Sequence, residues 1–242
     1  MKKIKRLEVV FLAYVTSDYA GRLQARLRSH ANPDLAGPMQ DYMRGQFAFL
    51  GIKSPERTAL VRQFLQENGV PENGELEKAV RELWAQPERE FQYAALTLLG
   101  KRSKTADASR IELLEELITT KSWWDTVDEL AGHAVGELFT RFPGLIPVRT
   151  QRWMASDSMW LQRTALLFQL RYKERTDAAL LFDLIRQCAD SKEFFIRKAI
   201  GWALREYSKT DEAAVRRFVA ETALSPLSIR EALKYADRRK PQ

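Results

Sequence analysis

A chain of 242 residues, 45% hydrophobic and 29% charged, has enough apolar side chains for a substantial core, which excludes a fibrous or wholly disordered polypeptide. Thirty-nine Lys and Arg against 32 Asp and Glu leave a net charge of +7, a basic balance that favours a polyanionic partner. The single Cys188 and the two histidines, His30 and His133, exclude an internal disulfide, a zinc site and a Ser-His-Asp triad, and no cofactor or metal is expected.

The chain begins with a basic stretch, Met1 to Arg6, followed by the short apolar run Leu7 to Val15. The order loosely resembles a secretion signal, but Glu8 interrupts the run and no small-x-small cleavage site follows it. Residues 1–16 are therefore read as an N-terminal extension, and 17–238 as one helical-repeat domain. No other stretch approaches the ~20 apolar residues of a membrane span. The expectation is a soluble, cytoplasmic protein without a membrane partner.

From there the apolar residues recur at three and four rather than at two, and strand signals are almost absent. Helix starts are expected at Ser54-Pro55 and Gln86-Pro87, at a capping box over Asp190 to Glu193, and after Thr176 and Thr210. Breaks fall at Asn68 to Gly74, Lys101 to Asp107, Phe142 to Pro147 and Leu224 to Ser228, which leaves about a dozen helices of ordinary length.

The segments Trp160 to Arg171 and Phe194 to Arg205 superimpose at an offset of 34, matching Arg163 to Arg197, Ala165 to Ala199, Leu170 to Leu204 and Arg171 to Arg205. Phe91, Trp124, Trp160 and Phe194 stand 33, 36 and 34 residues apart as anchors of comparable helices. An all-helical period of this length predicts an α-solenoid of HEAT-like antiparallel helix pairs, whose concave, basic groove would collect one helix from each repeat.

The densest chemistry lies in Lys121 to Asp128, where two adjacent tryptophans meet two carboxylates. Trp123 heads the series Trp123, Val127, Leu130, Ala134, Leu138, the stripe of an amphipathic helix facing a core. Trp124 and Asp128, four apart, share another face with Gly132. That face either lines an open groove or merely widens the buried stripe beside a solvated acid. Further on, Trp202 lies among Lys198, Arg205 and Lys209 at spacings of 4, 3 and 4; an aromatic ring in a basic stripe suits a phosphate backbone, with solvated charge as the alternative. Arg163 has Met159, Trp160, Leu166, Leu167 and Leu170 around it. A guanidinium in such surroundings must snorkel to an anion or pair with Asp128 or Asp157.

The wording of these stretches resembles the HEAT-repeat DNA alkylation repair glycosylases, the AlkD-like family. The similarity runs from about Asn32 to Lys234, through Tyr42-Met43, Phe49 to Arg57, Pro87 to Phe91, Lys121 to Asp128, Trp160 to Arg163, Ser191 to Phe195, Ala199 to Trp202, Leu204 to Tyr207 and Pro226 to Ser228. The resemblance implies that Trp124, Asp128, Arg163 and Trp202 surround the damaged nucleotide, with Arg163 near its phosphate. It implies further that Ser54, Arg205 and Lys209, together with Tyr42, lie on the backbone of duplex DNA, where the charge pattern also puts Lys198.

The implied activity is hydrolysis of the N-glycosidic bond of N3-alkyladenine and N7-alkylguanine by a monomer. Asp128 would stabilise the oxocarbenium-like sugar and orient water. Because this reading counts no histidine near Asp128 in sequence, a neutral base would lack a proton donor, and uracil, hypoxanthine and ethenoadenine are expected to remain in place. The rival reading is a non-catalytic HEAT scaffold that binds DNA, RNA or protein.

Overall fold

The computed structural model describes residues 19–238, so the expectation for residues 1–16 lies outside the described residues. Two compact units divide the chain at Arg102 and Ser103. Both are all-α, as the three-and-four periodicity requires; one isolated bridge joins Ala48 to Glu88 in the first unit. No described helix is long and apolar enough to cross a membrane.

The first unit holds α1 (Tyr19–Arg28), α2 (Pro33–Tyr42), α3 (Ser54–Asn68), α4 (Asn73–Ala85) and α5 (Arg89–Lys101). Leu23 and Leu27 of α1, Phe64 of α3, Leu76, Val80 and Leu83 of α4, and Phe91 and Leu98 of α5 recur at helical spacing and are buried. The stretch Phe49 to Arg57 is organised by a buried carboxylate. Glu90, fully buried, accepts the backbone N–H groups of Leu50, Gly51 and Ile52 at 3.0, 3.0 and 3.1 Å. Three such bonds compensate much of the cost of burying the charge and hold the loop that leads into α3.

Gly51 sits in this loop at φ 86°, and a Cβ there would lie 2.0 Å from the Asn32 carbonyl oxygen and 2.9 Å from the Ala36 nitrogen. Both obstacles are backbone and cannot swing aside. Gly51→Ala is therefore expected to cost about 3–5 kcal/mol, lowering Tm by about 6–20 °C. A thermal melt unchanged within 2 °C would mean that the loop relaxes freely.

The second unit begins with a single 3-10 turn (Ser103–Thr105) and α6 (Arg110–Thr119). α7 follows in three continuous segments: Trp124–Glu129, a π-helical Leu130–Val135, and Gly136–Arg141. Next come α8 (Leu145–Met154), α9 (Met159–Leu167), α10 (Ala178–Gln187), α11 (Phe194–Tyr207), α12 (Glu212–Glu221) and α13 (Pro226–Asp237). Thirteen helices among the described residues match the dozen expected, and each of the four anticipated breaks spans a junction between helices, three of them running into the start of the next one.

The cap positions moved by one residue in two cases. Asp177 and Asp211, not Thr176 and Thr210, accept the N–H of Leu180 at 3.0 Å and Ala214 at 2.8 Å. In both, the charged acceptor immediately downstream takes the cap. Ser54 is the first residue of α3 rather than its cap, and its Oγ accepts from Arg57 Nη2 at 3.2 Å. Over Asp190 to Glu193 the cap position falls on Glu193, which makes no side-chain cap bond; Ser191 Oγ accepts its N–H at 3.2 Å instead.

The repeat anchors Phe91, Trp124, Trp160 and Phe194 do stand at the starts of α5, α7, α9 and α11. Their surroundings differ, because Phe91 is fully buried while Phe194 is 54% exposed. The period thus marks helix starts, and the anchors do not share one environment. Cys188 is buried, which, with Asp190 adding to the effect, pushes its thiol up to about 12.

Candidate active site

The stripe expected from Trp123 onward is only partly realised. Val127, Leu130 and Leu138 are buried as anticipated, but the core positions between them are Ala131 and Val135, and Ala134 is only half-buried. The π-turn over Leu130–Val135 inserts a wider loop of backbone and shifts the register after Leu130. Gly136 follows directly, where a Cβ would lie 2.6 Å from the Phe168 carbonyl oxygen, so the helix can approach the segment after α9 closely at this point.

Trp123 is not a stripe residue. It occupies the cap position of α7 in extended conformation and packs against Phe195 at 5.1 Å and Trp160 at 6.0 Å between ring centroids.

That cluster holds Phe195, whose carbonyl has a role of its own. Arg163 of α9, only 4% exposed, donates from Nη1 to this carbonyl at 2.5 Å. The guanidinium also donates from Nε to Asp128 Oδ1 at 2.7 Å and from Nη2 to Oδ2 at 2.8 Å. This is the bidentate fork that arginine matches to a carboxylate. Of the two alternatives open for Arg163, the ion pair with Asp128 is the one found. The guanidinium expected near a phosphate is here buried and bound to a carboxylate and a carbonyl.

Asp128 lies between this arginine and a cavity of about 380 Å³. Trp124, Gly132 and Trp202 line the same cavity, so the face with Trp124 opens outward as the groove alternative required. Burial pushes the Asp128 carboxyl above the usual carboxylate range, with Arg163 pulling the other way and Asp125 adding to the rise. A larger cavity of about 500 Å³ shares Leu170, Arg171 and Glu206 with it.

The family model described as "DNA alkylation repair enzyme" matches residues 23–236. The chain belongs to this family of DNA alkylation repair enzymes. A solved structure described as a predicted DNA alkylation repair enzyme from Enterococcus faecalis is 35% identical, with a TM-score of 0.79 over 85% of this chain and 96% of its own. AlkD2 from Streptococcus mutans shares the fold at 17% identity, TM-score 0.58, covering 79% of this chain and 92% of its own. The protein smu.31 from Streptococcus mutans UA159 does so at 18% identity, TM-score 0.56, covering 76% and 98%. No curated protein matches the sequence. The expected all-α, AlkD-type helical-repeat class holds for this repair enzyme.

The basic stripe of the repair enzyme is less free than its spacing implies. Lys198 and Arg205 both pair with Glu231, at 2.9 and 2.8 Å. Lys209 pairs with Glu206 at 2.6 Å and lies over the Tyr235 ring at 5.8 Å. Lys198 chiefly, with Arg205 and Lys234, holds Glu231 below the usual carboxylate range against the opposing effect of burial. In the other unit, Tyr42 ends α2 at 72% exposure and Ser54 opens α3 on the surface.

Sequence reasoning missed His133. It lines the cavity with Asp128, and its Nε2 stands 3.4 Å from Glu129 Oε2. The premise that no histidine accompanies Asp128 is therefore corrected. In an α-helix five residues advance by about 500°, some 140° round from Asp128, and His133 reaches the cavity beside Glu129, one turn before it. The available signal was Gly132 and Gly136, two poor helix formers flanking the histidine in a helix that otherwise has none.

Proposed function

We propose that this repair enzyme is a DNA glycosylase that hydrolyses the N-glycosidic bond of cationic alkylated purines in duplex DNA. One observation carries the reading: a carboxylate held in a bidentate pair from beneath and presented to a cavity that two tryptophans line.

N3-alkyladenine and N7-alkylguanine already carry a positive charge, so the base leaves neutral and the enzyme must stabilise the cation that develops on the sugar. Asp128 supplies that charge. The electron pair of the C1′–N9 bond departs with the base, and water adds to C1′ and loses a proton to the carboxylate. Arg163 acts through Asp128 by keeping both oxygens in place before the reaction begins. Trp124 and Trp202 offer indole faces to the cationic nucleotide, at ~0.5–2 kcal/mol each. Asp125, Glu129 and Glu206 add negative charge around the same cavity, which favours a cation over a neutral base.

The DNA backbone would be met by Lys198, Arg205 and Lys209, exchanging Glu231 and Glu206 for phosphate, and by Tyr42 and Ser54 of the first unit. The active form is read as a monomer acting in the cytoplasm.

Chromatography of free bases released from randomly methylated duplex DNA tests the proposal. Release of 3-methyladenine and 7-methylguanine is expected, increasing with enzyme concentration. Tight binding to methylated duplex without any free base would favour a non-catalytic DNA-binding role instead.

A further inference from the structure

α13 crosses α11 at close range beside Trp202. A Cβ at Gly201 would lie 2.5 Å from Glu231 Cβ and 2.9 Å from the Ser228 carbonyl oxygen, so a glycine is what lets the two helices touch. The crossing sets Glu231 over the α11 face between Lys198, three residues before Gly201, and Arg205, four residues after it. Its Oε1 meets Lys198 Nζ at 2.9 Å and its Oε2 meets Arg205 Nη1 at 2.8 Å. One carboxylate thus spans both cations that flank Trp202, and Trp202 lines the cavity with Asp128.

Packing does not call for an anion at this point. The helices are already joined by the close approach at Gly201 and by Ser228 Oγ, which donates to the Arg197 carbonyl at 3.0 Å. The Glu231 side chain is 13% exposed, whereas those of Lys198 and Arg205 are 38% and 24% exposed. The cations reach solvent and the anion lies behind them. Lys198 chiefly, with Arg205 and Lys234, favours the ionised carboxylate.

Carboxylate and phosphate oxygens compete for the same N–H donors. We infer that Glu231 is a built-in rival of DNA phosphate: it occupies Lys198 and Arg205 in the free protein and weakens binding to every duplex, damaged or intact. The inference rests on the reading of Lys198 and Arg205 as contacts to the DNA backbone. A duplex that takes up these cations leaves Glu231 without its partners where water reaches it poorly, and that cost is subtracted from the affinity. The cost is the same for every sequence, since phosphate contacts carry no sequence information. Contacts to a lesion lie elsewhere, at Asp128, Trp124 and Trp202, and do not bear it. Glu231 thus shortens the stay on undamaged DNA, whose sites vastly outnumber lesions in a genome.

Fluorescence anisotropy of the full chain with a labelled undamaged duplex, from about 50 to about 200 mM salt, tests this, with thermal melts for each variant. Glu231→Gln keeps the size of the side chain and removes its charge. It is expected to bind about 5–20-fold more tightly than the wild type at an unchanged salt slope, because the same phosphates are met. Glu231→Ala, which leaves no acceptor at all, is expected to tighten binding as well. In a Lys198→Ala, Arg205→Ala background, where binding is weaker and the slope shallower, Glu231→Gln should change the affinity by less than about twofold. Equal or weaker binding by both Glu231 variants overturns the inference, and weaker binding would give Glu231 the opposite task of holding the cations in place for phosphate. Tightening that persists without the two cations overturns it too, as an effect of net charge alone. A double variant that binds like the wild type at the same slope removes the basic stripe from the DNA and the inference with it, while base release from methylated duplex still decides the glycosylase reading.

Discussion

Asp128→Asn lowers release of 7-methylguanine by about 10²–10³-fold, the scale on which one preorganised electrostatic group acts in a water-poor site. The substitution keeps the size of the side chain while removing the charge that faces the developing cation. It also leaves Arg163 with one acceptor oxygen at residue 128 where it had two, so a stability loss of about 1–3 kcal/mol should accompany it. Single-turnover rates on saturating enzyme separate this chemical loss from weaker binding.

The wild type should also show an acid limb on this substrate. The ionised carboxylate is the active form, and burial raises its pKa, so activity falls at a higher pH than the ~4 of an ordinary aspartate would give. The variant has no such group and should lack that limb. Near-normal release by Asp128→Asn would remove this residue from the mechanism.

Arg163→Met is expected to destabilise the protein by about 3–5 kcal/mol at pH 7, a drop in Tm of about 6–20 °C, because it strands the Asp128 carboxylate without its cation. The pH dependence follows from the sign of the shift. Without Arg163, burial and the neighbouring Asp125 are what act on Asp128, and both raise its folded-state pKa above the unfolded ~3.9. Between those values the folded state binds more protons than the unfolded one, so stability increases as pH falls toward 4. Melts of this variant at pH 7 and pH 5 should converge toward the wild type.

Adding Asp128→Asn to Arg163→Met should restore part of the loss, since the buried charge is then gone as well. A single variant as stable as the wild type at pH 7 would mean that water reaches the carboxylate freely. A Tm loss that persists at pH 5 and in the double variant would point to lost packing around the arginine stem.

The two tryptophans show how far periodicity carries. The spacing of Trp124, Asp128 and Gly132 placed these three on one face, and they do line one cavity, with Trp124 and Asp128 in the regular first segment of α7 and Gly132 in the π-helical one. The same arithmetic failed for Ala134, which lies in the π-turn and is only half-buried. The close approach of Gly136 to the Phe168 carbonyl directly after this turn involves another part of the chain, which the spacing within α7 does not report. Arg163 is the intermediate case. Its apolar surroundings showed that the guanidinium needed an anion, and the choice between a phosphate and Asp128 depended on a helix 35 residues away.

Local rules acting over three to seven residues therefore settled the all-α class, the helix breaks and the candidate face of α7. The repeated wording of the α9 and α11 segments indicated the period of the helix pairs. These features follow from the sequence itself because hydrogen bonding within a helix and the burial of one stripe depend on residues close together in the chain.

Only the tertiary structure decided which charges are free. Spacing made Lys198, Arg205 and Lys209 an open basic stripe, and packing supplied Glu231 from α13 to two of them. The tertiary structure likewise decided that Arg163 lies beneath Asp128, that Trp123 joins Trp160 and Phe195, and that His133 faces the cavity. A charge or ring finds its partner through space, and a partner a whole repeat away leaves no trace in the periodicity of either helix.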